Sequence, residues 1–140
     1  MTAKEYLRQA KKLELLVSAK KEQILRIKDQ LSGTGVCLSP DRAGKARGRP
    51  DKMAELVASL NTLQGLFAAD VVRLLRLKYD ISVLIDNIAD TEQRLVLFDR
   101  YVNIKDWQDI CQDNYMSLAK VYRLHAKALA EIDKILNAAE

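Results

Sequence analysis

Two long runs of apolar residues, each advancing by steps of three and four, constrain this chain more than any other feature. The first is Tyr6, Ala10, Leu13, Val17, Ile24, Ile27 and Leu31, with Lys20 in its one polar slot. The second is Met53, Leu56, Leu60, Leu63, Phe67, Asp70, Leu74, Leu77, Ile81, Leu84 and Ile88, where only Asp70 is polar. Such steps place each run along one stripe of an α-helix and make it a coiled-coil seam. Thr2 and Glu5 have capping-box spacing and start the first helix near the first residue. Pro50 and Asp51 suit the first turn of the second, since proline has no amide to leave unsatisfied and an acid favours a helix N-terminus. Four of the five glycines and both prolines fall within residues 32–50, so that segment reads as a linker, and Ser32, Gly33 and Gly35 are expected to end the first helix. At 1.5 Å per residue the helices would reach roughly 45 and 55 Å, too long for one compact ball. An antiparallel hairpin buries both seams. Lys20 and Asp70 read as a register or partner device, and with it the chain is expected to form a homo-oligomer. Gly65, which costs up to about 1 kcal/mol relative to alanine, reads as a close helix approach or a bend.

The rest of the composition agrees with an all-α fold: 140 residues hold 5 Gly, 2 Pro and 6% aromatics. With 23 Lys and Arg against 19 Asp and Glu, the net charge of +4 is too small to define a partner without its distribution. Cys37 and Cys111 are too few for a disulfide framework or a four-thiolate zinc site, which points to a reduced, cytoplasmic protein. No signal-peptide core and no run approaching ~20 apolar residues is present, so no membrane partner is expected. His125 is the one histidine and reads as a surface or core-edge side chain; no phosphate-binding glycine loop occurs, and Asp86, Asp90, Glu92 and Asp99 read as caps and solvated faces. A non-enzymatic protein without metal or cofactor is the expectation.

After Ile88 the pattern changes to three short helices. Asp90 caps the first, with Leu95, Leu97, Phe98 and Tyr101 supplying its apolar faces; Trp107, Ile110 and Cys111 lie on the second; Ser117 caps the third, which carries Val121, Leu124, Ala128, Ile132 and Ile135. The organisation is therefore a hairpin over 1–89, with the basic linker at 32–50, and a module over 90–140. Trp107 and Tyr101 read as core aromatics. Arg94, Arg100-Tyr101, Trp107 to Cys111, Ser117 and Val121 to His125 together resemble the helix-turn-helix of sigma-70 region 4. The form is most similar to that of phage and prophage proteins of the ArpU and RinA type, some of them transcription regulators.

That resemblance implies buried positions at Ile110, Met116, Val121 and Leu124, a small residue at Cys111 where helices approach, and a final helix lying in the major groove of double-stranded DNA. Ser117, Leu118, Ala119, Tyr122, Arg123 and Ala126 would face the groove, with Lys120 and Lys127 on phosphates. Arg123 is the base-contact candidate, since a guanidinium can pair in bidentate fashion with guanine. Asn114 stands where the family has an apolar residue and Tyr115 where it has glycine; because Asn tolerates left-handed backbone, the turn is expected at Asn114. Residues 90–140 hold seven basic and nine acidic residues, net −2. Basic charge gathers instead at Arg42, Lys45, Arg47, Arg49 and Lys52, where Arg47-Gly48-Arg49-Pro50 resembles the core of an A·T minor-groove hook and makes Arg47 and Arg49 DNA-contact candidates. The reading is a phage-derived, oligomeric DNA-binding regulator, with host RNA polymerase as a further partner that the resemblance implies. A small terminase-like packaging subunit and a protein-interaction module without DNA stay open beside it.

Overall fold

A computed structural model describes residues 1–36 and 50–139. The fold is all-α: α1 (Ala3–Val36), α2 (Pro50–Ile85), α3 (Thr91–Leu97), a π-helical turn at Phe98–Val102 continuing α3, α4 (Trp107–Asn114) and α5 (Leu118–Ala138). Among the described residues there is no strand. The capping box forms as its spacing requires, Thr2 N–H donating to Glu5 Oε2 at 2.9 Å and Glu5 N–H to Thr2 Oγ1 at 3.3 Å. α1 runs to Val36, past the Ser32, Gly33 and Gly35 expected to stop it. A helical glycine costs only about 1 kcal/mol and does not by itself end a helix. Residues 37–49 lie outside the described residues, and with them Cys37, Arg42, Lys45, Arg47, Arg49 and the hook reading.

The chain divides into two compact units, Met1–Glu14 with Arg73–Glu140, and Leu15–Val72. This division cuts both long helices and differs from a boundary at 89/90. Its cause lies in the first turns of α1, where Ala3, Leu7 and Ala10 are fully buried in one core with Ile81, Ile85, Ile88, Leu97, Tyr101, Ala128 and Ile132. Burying a leucine such as Leu7 stabilises by about 1.5–3 kcal/mol. Ala3 N–H also donates to Asp133 Oδ1 of α5 at 2.8 Å. The short helices are thus built onto the start of α1, a contact the apolar period alone does not reveal.

In the unit Leu15–Val72, Lys20 and Asp70 form an ion pair with each other. The two polar slots of the seams therefore meet inside one chain, and this pair sets the register of the hairpin. In the other unit Glu14 of α1 and Lys78 of α2 pair at 3.2 Å. Met53 and Leu56 are exposed, unlike the rest of the second seam. Leu15 and Leu16 are exposed too. Among the described residues Gly65 makes no close approach: a Cβ built there meets no atom within 4 Å.

Candidate nucleic-acid interface

The three short helices enclose a small core of Val96, Ile110, Val121 and Leu124, with Trp107, Cys111 and Met116 packed against it. Ile110, Met116, Val121 and Leu124 are positions expected to face inward; Val96 is not among them, and Leu95 and Phe98, expected on the apolar faces of α3, are exposed. Asp90 caps α3 by accepting from Glu92 N–H at 2.8 Å and Gln93 N–H at 3.2 Å. Ser117 Oγ caps α5 by accepting from Lys120 N–H at 3.2 Å. Before the non-helical residues 103–106, α3 widens into a π turn. Asn103 N–H reaches back five residues to Phe98 O at 3.0 Å, and the resulting π turn carries Asp99 inward. The Asp99 carboxylate accepts from Asn103 Nδ2 at 3.1 Å on one oxygen and from Asn114 Nδ2 at 2.9 Å on the other. Lys105 Nζ stands 3.7 Å from it and donates to Asp113 at 2.9 Å. Asp99 is therefore a buried tie between the π turn and the end of α4, not a solvated acid.

Asn114 is helical and spends its amide on Asp99 and on Ile110 O, so the left-handed residue of the turn is Tyr115, at φ 54° and ψ 43°. Met116 N–H bonds Cys111 O and Tyr115 N–H bonds Gln112 O, the paired bonds of a Schellman motif. The turn thus falls where the resembled family places glycine, not one position earlier. A tyrosine at that φ costs about 1–2 kcal/mol relative to right-handed backbone. Its side chain is 97% exposed and recovers nothing by burial.

Beyond the turn, α5 presents two unlike faces. Val121, Leu124, His125, Ala128 and Ile132 point into the cores. The outward stripe consists of Ala119, Arg123, Ala126, Lys127, Ala130 and Lys134, all exposed. Of the two acids bordering it, Glu131 pairs with Lys134 at 3.3 Å and Asp133 accepts from Ala3 N–H at 2.8 Å. Of the predicted groove residues, Ser117 is the exposed cap, Ala119, Arg123 and Lys127 share this stripe, and Leu118 lies exposed on its flank. Tyr122 also lies on the flank, with its ring edge-on to Trp107 at 5.1 Å. Lys120 is half-buried and its ammonium pairs with Glu92 of α3 at 2.9 Å, which removes it from the set of free phosphate contacts. Lys134 completes the stripe two turns beyond Lys127. Its position was legible from the helical period, since steps of four, three and four separate 123, 127, 130 and 134.

Beside the stripe sits an aromatic cluster. The Arg100 guanidinium lies over the Trp107 ring at 4.3 Å, and Trp107 meets His125 edge-on at 4.8 Å. Tyr101 Oη and His125 Nε2 share a 2.6 Å hydrogen bond. His125 is pushed down to about 4, first by burial and then by the positive charges of Lys4, Arg100 and Arg8. Burial raises the Tyr101 hydroxyl above its ordinary value. At neutral pH the pair is uncharged. Among the described residues no group of His, Cys, Asp and Glu is arranged to hold a metal, and no helix is long and apolar enough to cross a membrane.

Comparison with known proteins finds no match among curated proteins and none among solved structures. One family model, described as a protein of unknown function (DUF1492), matches residues 30–133, which takes in the last residues of α1, all of α2 and the module as far as the last turns of α5. Because that match covers well over half of the 140 residues, the chain belongs to the DUF1492 family.

Proposed function

We propose that α5 is a DNA-contacting helix and that the protein is an oligomeric DNA-binding regulator with no catalytic step. One observation carries this reading: the outer stripe of α5 alternates Arg123, Lys127 and Lys134 with Ala119, Ala126 and Ala130. Small side chains let a helix lie deep in the major groove, while the cations between them meet phosphates and base edges. Five of the module's nine acids are engaged within the fold. Asp99 is buried, Asp133 holds the Ala3 amide, and Glu92, Asp113 and Glu131 pair with lysines. α1 adds Lys4, Arg8, Lys11 and Lys12 to the same unit. The sigma region 4 resemblance supports the same docking mode and, with it, RNA polymerase as a second partner.

The test is selection of duplexes from a randomised pool. Wild type is expected to enrich a short shared sequence, and Arg123→Ala to lose preference at one or two base pairs within it, a discrimination of about 1–3 kcal/mol. No enrichment by wild type, or an identical motif from Arg123→Ala, contradicts the assignment.

A further inference from the structure

The first turns of α1 lie along one edge of α5. Steps of four, three and four put Tyr122, Ala126, Leu129 and Asp133 in one row of that helix, next to its outer stripe. At one end of the row Asp133 accepts from Ala3 N–H at 2.8 Å. At the other, Tyr122 meets Trp107 edge-on, and the Arg100 guanidinium lies over the same indole at 4.3 Å while donating to Lys105 O at 3.0 Å. Lys4 follows the tethered Ala3, and Arg8 stands one turn further along α1, beside the fully buried Leu7. With Arg100 they are the charges whose field reaches His125, and Arg8 and Arg100 act on Tyr101 as well. Three cations, two from α1 and one from the π turn, thus gather beside the stripe within one compact unit.

The fold does not offset this gathering. Lys4 and Arg8 are exposed, and among the described residues neither forms an ion pair. The acid of the row, Asp133, is engaged by the Ala3 amide. Residues 37–49 hold Asp41 alone against Arg42, Lys45, Arg47 and Arg49, so that segment brings no net counter-charge. Like charges four residues apart destabilise a helix, and a lysine in the first turn opposes the helix dipole. Neither cation therefore stands there for the stability of α1. An anion lying among the three would relieve their mutual repulsion, and Arg100, held by its indole and its carbonyl, is already in place to meet one.

We propose that Lys4, Arg8 and Arg100 form a second row of phosphate contacts, which holds the backbone of the DNA strand bordering the groove that α5 occupies. The inference rests on the α5 reading above, since a duplex engaged by the stripe brings its backbone to this edge. Such contacts fix position and add affinity without selecting bases. The test compares the full chain with Lys4→Ala/Arg8→Ala and with Arg123→Ala, in duplex selection, in binding titrations at two salt concentrations and in chemical denaturation. The double variant is expected to enrich the same sequence as wild type but to bind it about tenfold more weakly at the lower salt, with the salt slope flattened by roughly 0.9 for each lost phosphate contact. Its unfolding midpoint should equal or exceed that of wild type, and Arg8→Lys, which keeps the charge, should retain wild-type affinity. Wild-type affinity and slope in the double variant, beside a changed preference in Arg123→Ala, overturn this row and leave the α5 reading standing. A lowered unfolding midpoint gives Lys4 and Arg8 a structural role and overturns the row as well. No duplex binding by wild type overturns both.

Discussion

His125 shows how one side chain can link stability to pH. Its imidazole is 9% exposed, hydrogen-bonded to Tyr101, edge-on to Trp107, and within the field of Lys4, Arg8 and Arg100. Burial and these charges oppose its protonation, so the folded value is about 4 against an ordinary 6.5. Below pH 6.5 the unfolded chain takes up a proton that the folded chain refuses. The stabilisation present above pH 6.5 is therefore lost as pH falls towards 4, by up to about 3 kcal/mol for this group. The imidazole proton resonances are expected to titrate with a midpoint near 4, and the urea midpoint to fall between pH 6.5 and 4. A titration midpoint near 6.5 would contradict the buried placement. In the sequence this residue is a solitary histidine on the last helix, which reads as an edge side chain. Its surroundings come from Tyr101, 24 residues earlier, and from Trp107 on α4, neither of which a local pattern reports.

At the scale of elements, the π turn and the turn before α5 belong to one arrangement. The extra residue at Phe98–Val102 turns Asp99 inward, and Asn114 at the end of α4 supplies the amide that satisfies it. Asn114 therefore departs from the apolar residue of the resembled family for a reason specific to this chain. Asn114→Leu is expected to destabilise the fold by about 1–3 kcal/mol, although leucine is the more apolar choice, because it leaves a buried carboxylate oxygen without its donor. Chemical denaturation measures this, and an unchanged or raised midpoint would show that Asp99 does not depend on Asn114. The seams, the caps at Thr2, Asp90 and Ser117, and the outer stripe of α5 were legible because each is written in the spacing of a few neighbouring residues. The π turn, the left-handed Tyr115 and the burial of Ala3 and Leu7 were not. They follow from contacts between elements, and the period of one helix carries no information about its partner's register. Lys20 and Asp70 illustrate the limit: both stand out as polar slots, and only the hairpin's register brings them together.

For the whole molecule, a net charge of +4 says little until the committed charges are set aside. Lys120 is occupied by Glu92 and Lys105 by Asp113, whereas Arg123 and Lys127 stand on the outer stripe of α5 and Lys134 beside them shares its charge with an exposed glutamate. Groove contact by that stripe is the central claim, and the salt dependence of duplex binding tests it most directly. In fluorescence anisotropy titrations at two salt concentrations, wild type is expected to bind more weakly at the higher salt. Lys127→Ala combined with Lys134→Ala withdraws two cations from the phosphates. The double variant should therefore bind more weakly, with the slope of log affinity against log salt flattened by roughly 0.9 for each phosphate no longer neutralised. Lys120→Ala, whose ammonium is already paired with Glu92, should change the slope little. Equal affinities and slopes for wild type and the double variant, or no binding at the lower salt, would contradict the account.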